Sequence, residues 1–220
     1  LDARRVETSK ETTMSAYVIA QIGWHDTEAR DRYLAAFRPL FVRHGGTVLA
    51  ANEDDSEVIE GTWTPPGTVI MRFNDTDHAR TWMKDPEFSP VAAIRHGAAE
   101  TNLVLVEGLD TSPPETALDA PKPAYIVAQI DVHDPARYQS YLQGFMAIFE
   151  RFGGAMLATS AKETEVIEGR WSLPRTVIMC FPSLDAAHHW HDDPDYQSLA
   201  EYRRASATAT ANLVLVEGLA

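Results

Sequence analysis

The sequence predicts an α+β protein in which two β-α-β-β-α-β repeats close against each other as an intramolecular pseudo-dimer. Three observations predict it. Shifting the 220-residue chain by 108 positions aligns Ala16–Arg95 with Ala124–Arg203 without a gap, and 35 of those 80 pairs are identical. A two-residue insertion after Arg204 then moves the offset to 110, and Asn102-Leu103-Val104-Leu105-Val106-Glu107-Gly108-Leu109 recurs unchanged as Asn212 to Leu219, the mark of a tandem duplication. Finally, each copy alternates short β-branched runs with helical patterns. A sheet covered by helices on one side leaves its other face in need of a partner, and a second copy supplies one by face-to-face packing and shared edge strands.

Each repeat opens with a strand, Tyr17 to Ile22 (YVIAQI) and then YIVAQI from Tyr125. A helix follows, since Tyr33, Phe37, Leu40, Phe41 and His44 recur at steps of three and four, as do Tyr141, Phe145, Ile148 and Phe149. Asp26 and Asp134 stand at its N-cap, Pro135 at the first helical position of the second copy. The pairs Gly45-Gly46 and Gly153-Gly154 stop it. Pro39 lies inside the first helix, where its missing amide donor predicts a kink; Ala147 takes the matching place. A strand from Thr47, an acidic turn and the Glu57 to Gly61 segment come next. Pro65-Pro66-Gly67 then turns the chain into a strong β run from Thr68 to Phe73. A second helix over 75–84, broken at Asp85-Pro86, continues in a helical piece to about His96. The strand Leu103 to Val106 closes the repeat. The order is the split βαβ arrangement of a ferredoxin-like sheet. It divides the chain into a leader or expression remnant at 1–13, a first repeat at 14–109, a Pro-rich linker at 110–123 and a second repeat at 124–220.

Composition narrows the function classes. A net charge of −13 repels phosphate backbones, and no basic stripe with interleaved aromatics offsets it, so nucleic acid is not an expected partner. No apolar run approaches the ~20 residues of a membrane span. The single cysteine, Cys180, rules out an intrachain disulfide and fits a cytoplasmic protein. It is expected to be a small buried hydrophobe rather than a nucleophile, since no base accompanies it. His188, His191 and Asp192 share a helical face but have no counterpart in the first repeat, and are expected to be solvated rather than a metal site.

Several repeated residues are candidates for chemistry. His25 and His133 end the first strand of each copy, where an imidazole could act as general base; a polar residue beside an N-cap is the plainer alternative. Glu60 and Glu168 lie near Trp63 and Trp171, and a carboxylate against an indole loses solvation, which would raise its pKa and suit it to proton transfer; a solvent-facing acid in a turn, with the indole covering one end of the core, is the plainer alternative. Tyr17 and Gln21, with Tyr125 and Gln129, share one strand face by period-two alternation, the face expected to meet a ligand space between the sheets, with Trp63 and Trp171 as further lining candidates; a buried glutamine satisfied by backbone is the ordinary alternative. Where the copies disagree, Arg72 faces Cys180 in the alignment and Gly67 faces Arg175. Two pockets related by the pseudo-twofold would therefore differ in charge, and Arg175 points to the second half as the one retaining an anion site.

The glycine pair, the Val-Ile-Glu-Gly-x-Trp turn, the Val-Ile-Met-x-Phe strand, the Trp helix ending in Asp-Pro and the terminal Leu-Val-Glu-Gly strand resemble the domain of unknown function 1330 family, within the dimeric α+β barrel superfamily. The resemblance spans nearly the whole of both repeats and implies a barrel normally built from two chains. That superfamily includes cofactor-free monooxygenases, lactone isomerases, haem-handling enzymes and stress-response proteins. An arginine usually precedes the Val-Ile strand in the family, and another lies on the strand after the glycine pair. Arg175 matches the first, Gly67 departs from it, and Ala51 and Thr159 lack the second. The function expected is a cofactor-independent enzyme of isomerase, lyase or oxygenase type acting on a small organic acid or lactone, with His25 or His133 and Glu60 or Glu168 moving protons and Arg72 or Arg175 holding an anion. The alternative is a noncatalytic small-ligand binding or stress-associated protein. No metal is expected, the partner is a small molecule, and association of whole chains stays open.

Overall fold

The computed structural model describes residues 14–54, 56–109, 120–159, 164–205 and 208–219, so the expected leader and most of the expected linker lie outside the described residues. The first repeat runs β1 (Ala16–Trp24), α1 (Thr27–Arg43), β2 (Thr47–Asn52), β3 (Glu57–Glu60), β4 (Gly67–Phe73), α2 (Thr76–Met83), α3 (Phe88–His96) and β5 (Ala99–Glu107). The second repeats it as β6 (Ala124–Val132), α4 (Pro135–Arg151), β7 (Ala155–Thr159), β8 (Glu165–Glu168), β9 (Arg175–Phe181), α5 (Leu184–Asp192), α6 (Pro194–Arg204) and β10 (Ala209–Glu217). Against the expected order, the Glu57 and Glu165 segments are strands of their own; the second helix is two, divided at Asp85-Pro86 as expected. The break falls where proline follows aspartate, and in the second copy Asp193 caps the new helix by accepting from the amides of Asp195 and Tyr196. Asp26 and Asp134 cap α1 and α4 as expected, and α1 runs through Pro39.

The strands form two antiparallel sheets, β2-β4-β1-β5-β8 and β7-β9-β6-β10-β3. β3 leaves its own repeat to pair with β10, and β8 leaves the second to pair with β5. Each exchanged strand is held by the same device. Asn212 accepts from the Thr62 amide at 2.9 Å and donates to Gln129 Oε1 at 3.0 Å. Asn102 accepts from the Arg170 amide at 2.8 Å and donates to Gln21 Oε1 at 2.9 Å. Gly61 and Gly169 sit at φ 72° and 71° against these asparagines, where a Cβ would collide with the Asn Oδ1.

The sheets pack face to face over an apolar core that includes Tyr17, Ile19, Ile70, Val104, Tyr125, Val127, Ile178 and Val214. Trp63 and Trp171 meet there edge to face at 5.6 Å and 79°, each indole donating to a threonine, Thr68 or Thr176, at 2.9 Å. The expected ligand space between the sheets is thus filled. Two further cores lie under the helices, one per repeat. No helix among the described residues is long and apolar enough to cross a membrane.

Candidate functional site

The two helix-covered faces carry the same elements but not the same space. Under α4, a cavity of about 970 Å³ opens between the helix and the second sheet. Its floor is Ala128, Ile130 and Val132 of β6, Val177 and Met179 of β9 and Leu213 of β10, the residues that alternation turns away from the inter-sheet core. Its roof is the α4 stripe Tyr138, Tyr141, Leu142, Phe145 and Met146. Asp134 fixes where that helix starts, accepting from the amides of Ala136 and Arg137 at 3.1 and 3.0 Å. The floor of the far end is bare because Gly154 can carry no side chain: a Cβ there would enter the Phe149 ring.

Polar groups gather at one end. Tyr138, Tyr141, Tyr196, Arg175 and Arg203 all line the cavity. Tyr196 and Arg203 come from one face of α6, seven residues apart, so each points at the sheet. Arg203 is 2% exposed and is gripped by a carboxylate from the other repeat. Its Nη1 and Nη2 donate to Glu60 Oε1 and Oε2 at 2.9 and 2.6 Å, and Arg204 Nε donates to the same carboxylate at 3.0 Å. The guanidinium also lies 5.6 Å from the Tyr141 ring centroid, within cation–π range. Burial pushes the phenols of Tyr138, Tyr141 and Tyr196 up, outweighing the nearby Arg203 that pulls each down, so at neutral pH they are protonated donors. Arg175 lines the same end and, among the described residues, has no carboxylate within ion-pair distance.

In the first repeat the matching space is about 50 Å³. Trp24 stands where the second copy has Val132, and its ring packs 5.5 Å from Tyr33. Glu53 also lines the remnant, its carboxyl pushed up by burial despite Arg30 nearby. Gly67 replaces Arg175 where a Cβ would strike the backbone carbonyls of Glu53 and Ile22, so no side chain fits. Phe88 replaces Tyr196 and removes a hydroxyl.

Of the residues the sequence offered for catalysis or ligand binding, Arg175 alone lines this cavity. Tyr17, Tyr125, Trp63 and Trp171 belong to the inter-sheet core, and Gln21 and Gln129 brace the exchanged strands. Arg72 pairs in register with Tyr17 on that opposite face, so it and Arg175 do not converge. His25 and His133 are exposed at the strand ends, His133 Nε2 lying 2.9 Å from Thr210 Oγ1. The raised pKa expected of Glu60 and Glu168 is overturned. Burial alone would push each up, but charge-assisted bonds from Arg203 and Arg204, and from Arg95 and His96, outweigh it and both lie below the usual range. Tyr138, Tyr196 and Arg203 went unmarked in the sequence. For Arg203 the one signal was its identity with Arg95 across the copies; Tyr138 and Tyr196 align with Arg30 and Phe88 and had none.

Comparison with known proteins agrees with this architecture. The family model described as Domain of unknown function (DUF1330) matches twice, over residues 15–109 and 123–219. A comparison with curated proteins finds none that matches. Among solved structures, the chain is similar to a candidate monooxygenase from Fusobacterium nucleatum subsp. nucleatum, at TM-score 0.53 and 13% identity over 94% of each chain. It is similar to a second candidate monooxygenase, from Lactobacillus acidophilus, at TM-score 0.52 and 8% identity, covering 92% of this chain and 93% of that one. A variant of chlorite dismutase from Candidatus Nitrospira defluvii matches at TM-score 0.53 and 9% identity, covering 94% and 91%. At such identities the likeness shows a shared dimeric α+β barrel fold and nothing of chemistry.

Proposed function

The chain belongs to the DUF1330 family, and from that premise we propose that it is a small-ligand protein whose one working site is the second-repeat cavity, where a largely apolar organic acid binds with its carboxylate on Arg175. The observation that carries this reading is the contrast between about 970 and about 50 Å³ at equivalent places. Duplication freed one site to drift, and the larger space coincides with an arginine that has no carboxylate partner among the described residues. In a chain of net charge −13, a guanidinium on the wall of an apolar cavity with no ion-pair partner among the described residues is an anion holder.

An enzymatic reading of the same site, in the isomerase, lyase or oxygenase classes, is favoured by the three protonated phenols beside Arg203. Donors so placed stabilise an enolate or other developing oxyanion and do not act as bases. Deuterium uptake at the carbon next to the ketone of a bound 2-keto acid (C3) in heavy water, followed by NMR, separates the two: exchange supports the enzyme, and tight binding without exchange supports the binding protein.

Titration calorimetry on Arg175→Ala and Arg72→Ala tests the site itself. Loss of a charge-assisted bond predicts ~1.5–3 kcal/mol weaker binding of an organic acid for the first and none for the second. Equal losses, or none from Arg175→Ala, refute it.

A further inference from the structure

Resting on that organic-acid reading, we infer that the ligand is an extended-chain carboxylic acid, lying along α4 with its head at the Arg175 end and its chain running toward Gly153-Gly154. Positive charge is confined to one end. Tyr138, on the first turn of α4, is the phenol that feels both Arg175 and Arg203. From there the lining follows the helix to Glu150, 12 residue steps or ~18 Å at 1.5 Å per step. A compact acid would occupy only the charged end of such a space.

The rest of the run is apolar and adaptable. Leu142 and Phe145 are followed by Met146, Met156 and Met179, and thioethers reshape around a flexible chain. Leu142 and Met146 are 38% and 41% exposed on α4, apolar surface that an occupant of the cleft would cover. The copies diverge in the same sense. Arg38 aligns with Met146, Arg30 with Tyr138 and Val48 with Met156, so the repeat with the cavity has lost two cations from this helix and gained flexible apolar lining. At the far mouth the exposed carboxylate of Glu150 disfavours a second carboxylate, which sets the direction in which an acid enters.

The test is calorimetric titration of the full chain with octanoate, decanoate and dodecanoate, each below its micellar concentration, beside benzoate. Burial of each added methylene predicts about fourfold tighter binding, hence about 16-fold per even-numbered step until the chain reaches the glycine pair. Met146→Gln, an exposed substitution checked by circular dichroism, should flatten that rise, and Arg175→Ala should weaken every member alike. A series flat in chain length with Arg175-dependent binding of benzoate overturns the extended-chain inference and leaves the organic-acid reading standing. Binding of no acid at any length overturns both. A rise with length that survives Arg175→Ala and is matched by decanol overturns the assigned head.

Discussion

Replacing Glu60 by glutamine should destabilise the protein by ~2–3 kcal/mol, because it removes the negative partner of a guanidinium with almost no access to water. Arg203 is 2% exposed and the Glu60 side chain 14%, and three donors converge on that carboxylate at 2.9, 2.6 and 3.0 Å. Breaking a buried pair from one side costs about 3–5 kcal/mol. Glutamine keeps the shape and one acceptor oxygen, which places the loss near or below the lower end of that range. The duplication supplies the control. Glu168 holds Arg95 with 2.9 and 2.7 Å bonds, but is 29% exposed, so Glu168→Gln is screened by water and should cost ~1–2 kcal/mol. Urea denaturation of both variants measures the difference. Only Glu60→Gln should alter acid binding, tightening it, since a ligand carboxylate can then neutralise Arg203, whereas Arg95 lines just the small remnant. The pH dependence has a definite sign. Because the Glu60 carboxyl lies below 4.5 in the fold, its contribution is present above that pH and is lost as pH falls through the folded value. Glu60→Gln should flatten the fall of melting temperature in acid. Equal costs from the two variants, or costs below ~0.5 kcal/mol from both, would mean that the pairs are screened contacts.

Val132→Trp should copy the first repeat, filling the cavity and abolishing acid binding while the melting temperature is held or raised. The converse Trp24→Val removes a large packed ring and should cost ~3 kcal/mol or more in chemical denaturation. Asn212→Ala leaves the Thr62 amide and Gln129 Oε1 without their bonds and should cost ~1–3 kcal/mol, with faster hydrogen exchange at Thr62 as its local signature. Cys180 should resist alkylation at neutral pH until the chain unfolds, because burial pushes its thiol up to about 12.

Much of the fold was written locally. The first and last strands, the capping aspartates and the break at Asp-Pro follow from side-chain period, capping chemistry and proline geometry, which neighbours within a few residues decide. Less was legible at the candidate site. Alternation showed that Tyr17 and Gln21 share a face, yet two amphipathic faces of one sheet look alike when both are buried, and the one assigned to a ligand is the packed interface. Glu60 looked like a carboxylate beside an indole because its partner, Arg203, is 143 residues away.

The sequence by itself determined that the protein is a duplicated α+β chain and that its halves diverge in charge, since identity at a fixed offset and the swap of Gly67 for Arg175 are properties of the string. Which face of the sheet stays open, and in which repeat, was decided by the tertiary structure alone. A cavity is the volume left after four strands and three helices have placed their side chains, and that remainder depends on the whole set together: Trp24 against Val132 matters only because α1 and α4 lie directly above them.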